Sequence, residues 1–222
     1  MHIPDGYLDA WVFVLFYVLS AIVLFFALRR SKDILQERQV PLLGVLAAAI
    51  FAAQMLNWPI PGGTSAHFVG GALAAIFLGP YAGALAMTVV LVIQCLLFGD
   101  GGITALGANV WNMAIVDCFI GYYVYKSIAS RVSGDGGKIF GAFFGGWLGI
   151  TAAAAFAGIE IGISSAFRYG IGVTVPVMAG WHAALGIIEG VITAAVVAYT
   201  LRVRADLLAS ALELTTATEG GV

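Results

Sequence analysis

The sequence predicts an all-α membrane protein, a bundle of seven transmembrane helices surrounded by lipid. Of the 222 residues, 61% are hydrophobic and only 10% are charged, and the mean hydropathy is +1.00. Because a soluble domain carries about 25% charged residues, this chain has too few charges to cover a water-facing surface. The composition therefore excludes a soluble enzyme and a disordered chain. A net charge of −2 leaves no basic surface for nucleic acid.

Seven apolar segments form the predicted bundle, because a spanning helix needs roughly 20 mostly apolar residues. In chain order they are residues 10–28, 40–57, 65–78, 81–98, 105–125, 138–163 and 180–201. As one helix, residues 65–98 would extend roughly 50 Å, well beyond a hydrocarbon core of about 30 Å. The pair Gly79-Pro80 is a natural break between two shorter helices.

The positions of Lys and Arg give the predicted orientation. With seven spans, nine of the ten basic residues lie on one side of the membrane, and Arg168 alone lies on the other. Since basic loops face the cytoplasm, we expect the N-terminus outside and the C-terminus inside the cell. Residues 1–204 are predicted to form a single transmembrane domain, and residues 205–222 a cytoplasmic tail.

The chain opens with the letters MHIPDG on the predicted outer side. It lacks the basic start of a signal peptide, so Met1 is expected to begin the mature chain. The α-amine, the backbone nitrogen of His2 and the near imidazole nitrogen of His2 can close a five-membered and then a six-membered chelate ring on one metal ion. This planar set, whose amide must lose its proton, suits Ni(II) or Cu(II) and does not suit zinc, magnesium or calcium.

A predicted tight turn gives these donors a fixed shape. In Pro4-Asp5-Gly6, proline and glycine occupy turn positions that favour them. Residues 1–9 are therefore predicted to form a stiff N-terminal metal-binding hook. Three donors leave one corner of the coordination square open.

His67 is the predicted fourth donor. Thr64 or Ser65 is expected to cap the third span, which would place His67 in the first turn of that helix. The predicted topology brings His67 to the same outer side as the hook, and a neutral imidazole is a good ligand for such a metal. The sequence thus predicts a metal site formed by Met1, His2 and His67.

Four other titratable residues receive open interpretations. His182 is predicted to start the seventh span on the outer side, as a helix cap or as a neighbour of the metal site. Asp117 and Glu189 fall within spans without a basic partner, a placement that is costly and often functional, and a structural role stays equally open. Glu160 is expected to pair with Arg168.

A glycine-rich stretch at residues 134–138, GDGGK, does not make an ATPase site. A P-loop requires Ser or Thr after the lysine and a glycine five positions before it. Here Ile139 follows, and Ser133 stands where that glycine belongs. We therefore predict a cytoplasmic turn and a chain that does not hydrolyse ATP by this route.

Two stripes of small residues recur every four positions, a spacing that lets helices approach closely in lipid. One consists of Gly44, Ala48 and Ala52, and the other of Gly141, Gly145 and Gly149. Packing within the bundle and docking of another membrane subunit both remain open for such a pattern.

Four stretches carry a family resemblance: MHIPDGYL, the run ending in GGTSAH, FGDGGITALGANVWNM and WHAALGIIEGVITAA. They resemble the nickel/cobalt-specific substrate-binding (S) components of energy-coupling factor transporters, the CbiM/NikM group. The resemblance implies seven helices, an outward-facing N-terminus tucked into the bundle, and metal ligation by residues that correspond to Met1, His2 and His67. Asp117 is not part of the pattern.

The resemblance also implies partners and a cellular location. The partners are a transmembrane coupling protein, two cytoplasmic ATPase subunits and often a small auxiliary membrane protein, in the cell membrane of a prokaryote. It favours Gly44, Ala48 and Ala52 as the face that contacts the coupling protein. The expected function is capture of nickel, or next cobalt, as the substrate-specificity subunit of an ATP-driven uptake transporter, with the metal as substrate and not as a cofactor.

Three residues are candidates to support the metal ligands: Asp5, Ser65 and Asn109. Two alternative functions stay open. One is an S component for an organic vitamin, for which the outer tryptophans Trp11, Trp58, Trp111 and Trp181 would line the pocket. The other is an intramembrane hydrolase that uses Ser65 beside His67.

Overall fold

The computed structural model describes residues 1–34 and 39–208, most of which are helical. The helices are α1 Ala10–Ile34, α2 Gln39–Gln54, α3 Gly71–Leu78, α4 Pro80–Ile93, α5 Leu106–Asn109, α6 Asp117–Ala129, α7 Gly134–Ile163 and α8 Ile171–Val203. Two π-helical segments, Gln94–Phe98 and Val110–Val116, extend α4 and join α5 to α6. Of the predicted tail, residues 209–222 lie outside the described residues.

Four helices in the described ranges are long and apolar enough to cross a membrane: α1, α4 with its π-helical extension, α7 and α8. The apolar helix α2 has 16 residues and α3 has eight. The protein is thus a helical membrane protein. The count of seven spans and the orientation of the termini stay predictions.

The third helix begins later than predicted. Ser65 and Ala66 form the short strand β2 Ser65–Ala66, which pairs antiparallel with β1 Trp58–Pro59. The hairpin is closed by a backbone hydrogen bond of 2.9 Å from the Ile60 N–H to the Thr64 carbonyl. Hairpin pairing has replaced helix capping here, so the predicted caps at Thr64 and Ser65 and the predicted helical position of His67 are wrong.

A left-handed glycine fixes where α3 does begin. Gly70 precedes α3 with φ +82°, a backbone conformation that favours glycine. His67 therefore lies in a non-helical segment between β2 and α3, facing the N-terminal residues.

The last helix begins earlier than predicted, at Ile171 instead of residue 180, and includes Pro176. Proline is tolerated inside a helix of a membrane protein, because neighbouring helices and Ser or Thr side chains can satisfy the freed backbone groups. Thr174 joins this part of α8 to α7, because its hydroxyl donates to the Gly158 carbonyl at 2.6 Å. His182 consequently lies inside α8 and is completely buried, so its predicted place at a helix start is wrong.

Helix α7 packs between α6 and α8. A Cβ added at Gly145 would lie 2.6 Å from the Gly121 carbonyl oxygen of α6, and one at Gly149 would lie 2.3 Å from Asp117 Oδ1. The stripe on α7 therefore serves packing within the bundle.

Helix α7 begins at Gly134, so the glycine-rich residues 134–138 form its first turn and not a separate turn between spans.

Candidate metal centre

The first three residues are inserted into the bundle. Met1 and Ile3 are completely buried and His2 is 3% exposed. Asn109 of α5 holds Ile3 on both sides: its Oδ1 accepts the Ile3 N–H at 2.8 Å, and its Nδ2 donates to the Ile3 carbonyl at 3.1 Å. The Gly102 N–H donates to the same carbonyl at 2.9 Å. The backbone beside the proposed donors is therefore fixed.

Two carboxylates anchor the rest of the hook to the loops that precede α5 and α8. Asp5 accepts hydrogen bonds from the Thr104 N–H at 2.7 Å and hydroxyl at 2.5 Å. Asp9 accepts from the Ser165 N–H at 2.7 Å and hydroxyl at 3.0 Å. These bonds lower the pKa of both carboxyls. The largest contribution comes from the Thr104 hydroxyl for Asp5 and from the Ser165 N–H for Asp9. Asp5 thus supports the hook at a distance from the ligands.

The terminal amine is oriented by Ser65, whose Oγ accepts an N–H of Met1 at 2.8 Å. This bond uses a hydrogen of the amine and leaves the nitrogen lone pair available for a metal. Within the described part of the chain, the His2 amide N–H donates no hydrogen bond, so no acceptor competes for that nitrogen. A cavity of about 410 Å³, lined in part by His2, Ser65 and Asp100, lies beside these groups.

The two imidazoles stack on each other with ring centroids 4.7 Å apart and planes inclined by 23°. Nδ1 of His67 lies 2.6 Å from the Phe68 carbonyl oxygen, so the proton belongs on Nδ1 and the lone pair on Nε2. His67 Nε2 is buried and has no hydrogen-bond partner among the described residues. An unpartnered buried nitrogen of this kind is suited to metal ligation.

Burial keeps the donors in the protonation state that a metal needs. Burial lowers the pKa of the Met1 amine well below its usual 8.0, although the negative charge of Asp100 acts to raise it. Burial also lowers the pKa of His2 well below 6.5, and the positive charge of the amine lowers it further. Amine and imidazole ligands bind metals as neutral bases, so both nitrogens are prepared for coordination.

Asp100 is a site residue that the sequence interpretation missed. Its Oδ2 lies 3.5 Å from His2 Nε2 and accepts a hydrogen bond from Asn57 Nδ2 at 3.0 Å. Burial raises the pKa of Asp100, and the neighbouring amine partly offsets this. Its position in the run FGDGG could have identified it, because that run belongs to a loop predicted on the same side of the membrane as the hook.

His182 also lies at the site. Its Nδ1 is 2.8 Å from the Met178 carbonyl oxygen, and its buried Nε2 has no hydrogen-bond partner within residues 1–34 and 39–208. The preceding turn of α8 contacts the hairpin, since the Thr64 N–H points to the Met178 sulfur at 3.4 Å. The open interpretation of His182 as a neighbour of the metal site therefore agrees with its position.

Side chains alone do not form a metal site in the described ranges, where no group of three or more His, Cys, Asp and Glu residues is arranged to hold a metal ion. A site at this place needs the terminal amine and the backbone nitrogen of His2 in addition to the two imidazoles.

The outer tryptophans do not share a pocket. Trp11 and Trp181 are 57% and 50% exposed. Trp111 packs against Phe16, whereas Trp58 lines an apolar groove of about 380 Å³ between α2 and α8. A vitamin site walled by these four residues is therefore absent from the described part of the chain.

The hydrolase arrangement is also absent. The Ser65 hydroxyl accepts from the Met1 amine, and His67 Nδ1 faces the Phe68 carbonyl, so among the described hydrogen bonds none joins serine to histidine.

The predicted docking face on α2, formed by Gly44, Ala48 and Ala52, is exposed.

The fold and the site together define a helical membrane protein whose N-terminal segment returns into the bundle and places an amine beside two imidazoles. The family profile described as CbiM, cobalt uptake substrate-specific transmembrane region, matches residues 2–207. The chain belongs to this family.

Several known proteins are similar along nearly the whole chain. A putative fused nickel transport protein NikMN of Archaeoglobus fulgidus is 64% identical over 208 residues, which cover 94% of this chain and 68% of that protein. A putative cobalt transport protein CbiM 2 of Methanosarcina barkeri is 32% identical, with 94% and 92% covered. A crystal structure described as a truncated transition metal transporter superposes with a TM-score of 0.86 at 39% identity, covering 91% and 99% of the two chains.

Proposed function

We propose that this chain captures a divalent transition metal, nickel first and cobalt next, as the substrate-specificity subunit of an ATP-driven uptake transporter. The observation that carries the proposal is the buried Met1 amine beside His2 and His67, with a free lone pair at His67 Nε2. Relatives described as nickel and cobalt transport proteins support the same substrate class.

The donor set accounts for the preference. The amine, the amide nitrogen and Nδ1 of His2 occupy three neighbouring corners of a square, and the fourth corner adjoins both the amine and that imidazole. His67 lies next to both, since it stacks on His2 and the neighbouring Ser65 binds the amine. Four nitrogens in a plane, one of them a deprotonated amide, favour Ni(II) over metals that prefer tetrahedral or oxygen-rich sites.

The architecture of the transporter is part of the proposal. Seven helical segments cross the cell membrane of a prokaryote, with the hook outside and the chain end in the cytoplasm, as the distribution of basic residues favours. A transmembrane coupling protein contacts the exposed face Gly44, Ala48 and Ala52 of α2, where small residues permit close approach. Two cytoplasmic ATPase subunits, and a small auxiliary membrane protein, complete the complex.

The test is one extra residue before Met1. An added glycine converts the amine into an amide and moves the free amine away from the chelate ring. We expect the extended protein to stay folded and to lose nickel binding by at least about a hundredfold, as titration calorimetry in detergent would measure. The matched control carries the glycine at the C-terminus and binds as the unmodified chain does. Normal nickel loading by the N-terminally extended protein would contradict the proposal.

A further inference from the structure

Two buried carboxylates hold the backbone that follows His67. Glu189 of α8 accepts the Val69 N–H at 2.9 Å and the Gly70 N–H at 2.8 Å, one with each oxygen. Asp117, the first residue of α6, accepts the next N–H, that of Gly71, at 2.9 Å. Three consecutive N–H groups are therefore held by side chains from two other helices.

The position of these bonds deep in the bundle makes them strong. Glu189 is 1% exposed and Asp117 is completely buried, and no ion pair of the described residues joins Lys or Arg to either acid. Backbone donors and carboxylates that are both removed from water lose a great deal of free energy unless they pair with each other. Both oxygens of Glu189 and Oδ2 of Asp117 are paired with residues 69–71 in this way, whereas Asp117 Oδ1 is buried without a hydrogen-bond partner among the described residues.

Glycines create the space for this contact. A Cβ at Gly71 would lie 2.5 Å from Asp117 Oδ2, and a Cβ at Gly149 of α7 would lie 2.3 Å from Asp117 Oδ1. The close approach of Asp117 thus depends on the absence of a side chain on both of its neighbours.

The same segment controls the orientation of His67. Its Nδ1 contacts the carbonyl of Phe68, the residue that immediately precedes the held N–H groups. The apolar groove of about 380 Å³ lies beside His67, Phe68 and Glu189, so this stretch of backbone has room to shift if the carboxylates release it. The direction of the His67 Nε2 lone pair therefore depends on where residues 68–71 are held.

We propose that Glu189 and Asp117 are positioning residues, which hold residues 69–71 so that His67 Nε2 stands at the fourth corner of the metal square. The inference rests on the proposed function and extends it, because it gives a role to the two acids within predicted spans that the donor set does not use. Neither acid touches the metal in this arrangement.

Glu189→Gln tests the role, because it keeps the shape and replaces one acceptor oxygen with a donor. We expect nickel affinity to fall about 10–100-fold, the usual effect of losing a group that orients a ligand. The visible absorption of bound nickel should also shift towards that of His67→Ala, which retains only the three nitrogens of the hook. Glu160→Gln is the matched control, since Glu160 is equally buried but accepts from Asn112 at 2.7 Å. It should keep the wild-type affinity and spectrum.

A double-mutant cycle separates positioning from general stability. In the His67→Ala background, Glu189→Gln should change nickel affinity little, because no fourth nitrogen remains to be positioned. An equal loss in both backgrounds would overturn the inference, and so would a Glu189→Gln protein with wild-type affinity and spectrum. Asp117→Asn provides the same comparison if Glu189→Gln does not fold. Absence of nickel binding in the wild-type protein would overturn the proposed function and this inference together.

Discussion

The residues around Met1 and His2 decide which of their nitrogens are free to bind. Asp100 places negative charge 3.5 Å from His2 Nε2, which favours the tautomer with its proton on that nitrogen. The lone pair of Nδ1, which the six-membered chelate ring requires, is then available. Ser65 acts in the same sense on Met1, since it accepts an N–H and leaves the amine lone pair free.

Asp100→Asn therefore tests the orientation of His2. The amide keeps the size of the side chain but removes the charge that selects the tautomer, so we expect nickel affinity to fall about tenfold or more. Titration calorimetry measures the change. Asp135→Asn on α7 is the control, because Asp135 is exposed and pairs only with Lys138 at 3.7 Å. Equal affinities of the two variants would exclude a role for Asp100.

The lowered pKa values of the Met1 amine and His2 predict a distinctive pH dependence. In a free peptide with the same opening residues, these groups take up protons below about pH 8 and 6.5, and nickel must displace them. In the protein both groups stay neutral to lower pH, so near neutrality nickel displaces mainly the amide proton. We expect the protein's affinity to fall about tenfold per pH unit between pH 8 and 7, as release of one proton requires.

The comparison with the peptide gives this prediction its control. Over the same interval the peptide should lose affinity more steeply, because its amine also becomes protonated. Competition titrations at each pH measure both slopes. An affinity of the protein that does not change between mildly acidic and mildly basic pH would contradict the donor set.

At the scale of elements, the loop between α4 and α5 is shaped to receive the hook. Gly101 adopts φ +90°, and a Cβ there would lie 2.9 Å from Asn109 Nδ2. At Gly102 a Cβ would lie 2.2 Å from the Asp5 nitrogen. The backbone of the loop therefore contacts the hook directly, and side chains at these positions would separate the two.

Gly102→Ala is expected to loosen the hook. The added methyl group must displace the Asp5 backbone, at a cost of about 1–3 kcal/mol in the free energy of unfolding, comparable to overpacking a core. Nickel affinity should fall as well, because the amine and His2 move with the hook. Thermal unfolding and nickel titration measure the two effects. Gly136→Ala in α7, where the added Cβ meets no other part of the protein within 4 Å, should leave nickel affinity unchanged and should not lower the free energy of unfolding, because alanine favours a helix over glycine.

At the scale of the whole molecule, orientation in the membrane is the property to test. Arg168 and Ser133 are both exposed, at the two opposite ends of α7. We expect a cysteine at Arg168 to react with a membrane-impermeant maleimide in intact cells, and one at Ser133 to react only after permeabilisation. Cys95 and Cys118 are buried and should contribute little background. The reverse labelling pattern would contradict an outward-facing hook.

Part of the fold followed from local properties. Hydrophobicity and the scarcity of charge identified a helical membrane protein, and the apolar segments located the long helices. Two predicted boundaries were wrong for different reasons. Residues 65–66 pair with residues 58–59 in a short hairpin instead of opening a helix, and the last helix, Ile171–Val203, begins before residue 180 and continues through Pro176.

The chemistry of the candidate donors could be predicted from the sequence, because an amine followed by a histidine at position two forms its chelate rings through covalent geometry. The predicted side of the membrane also indicated His67. The groups that hold these donors became visible only in the folded protein: Asp100 beside His2, His182 near the hairpin, and Glu189 and Asp117 on the backbone after His67. Such contacts join residues up to 120 positions apart, and a local pattern contains no information about which buried polar groups will satisfy one another.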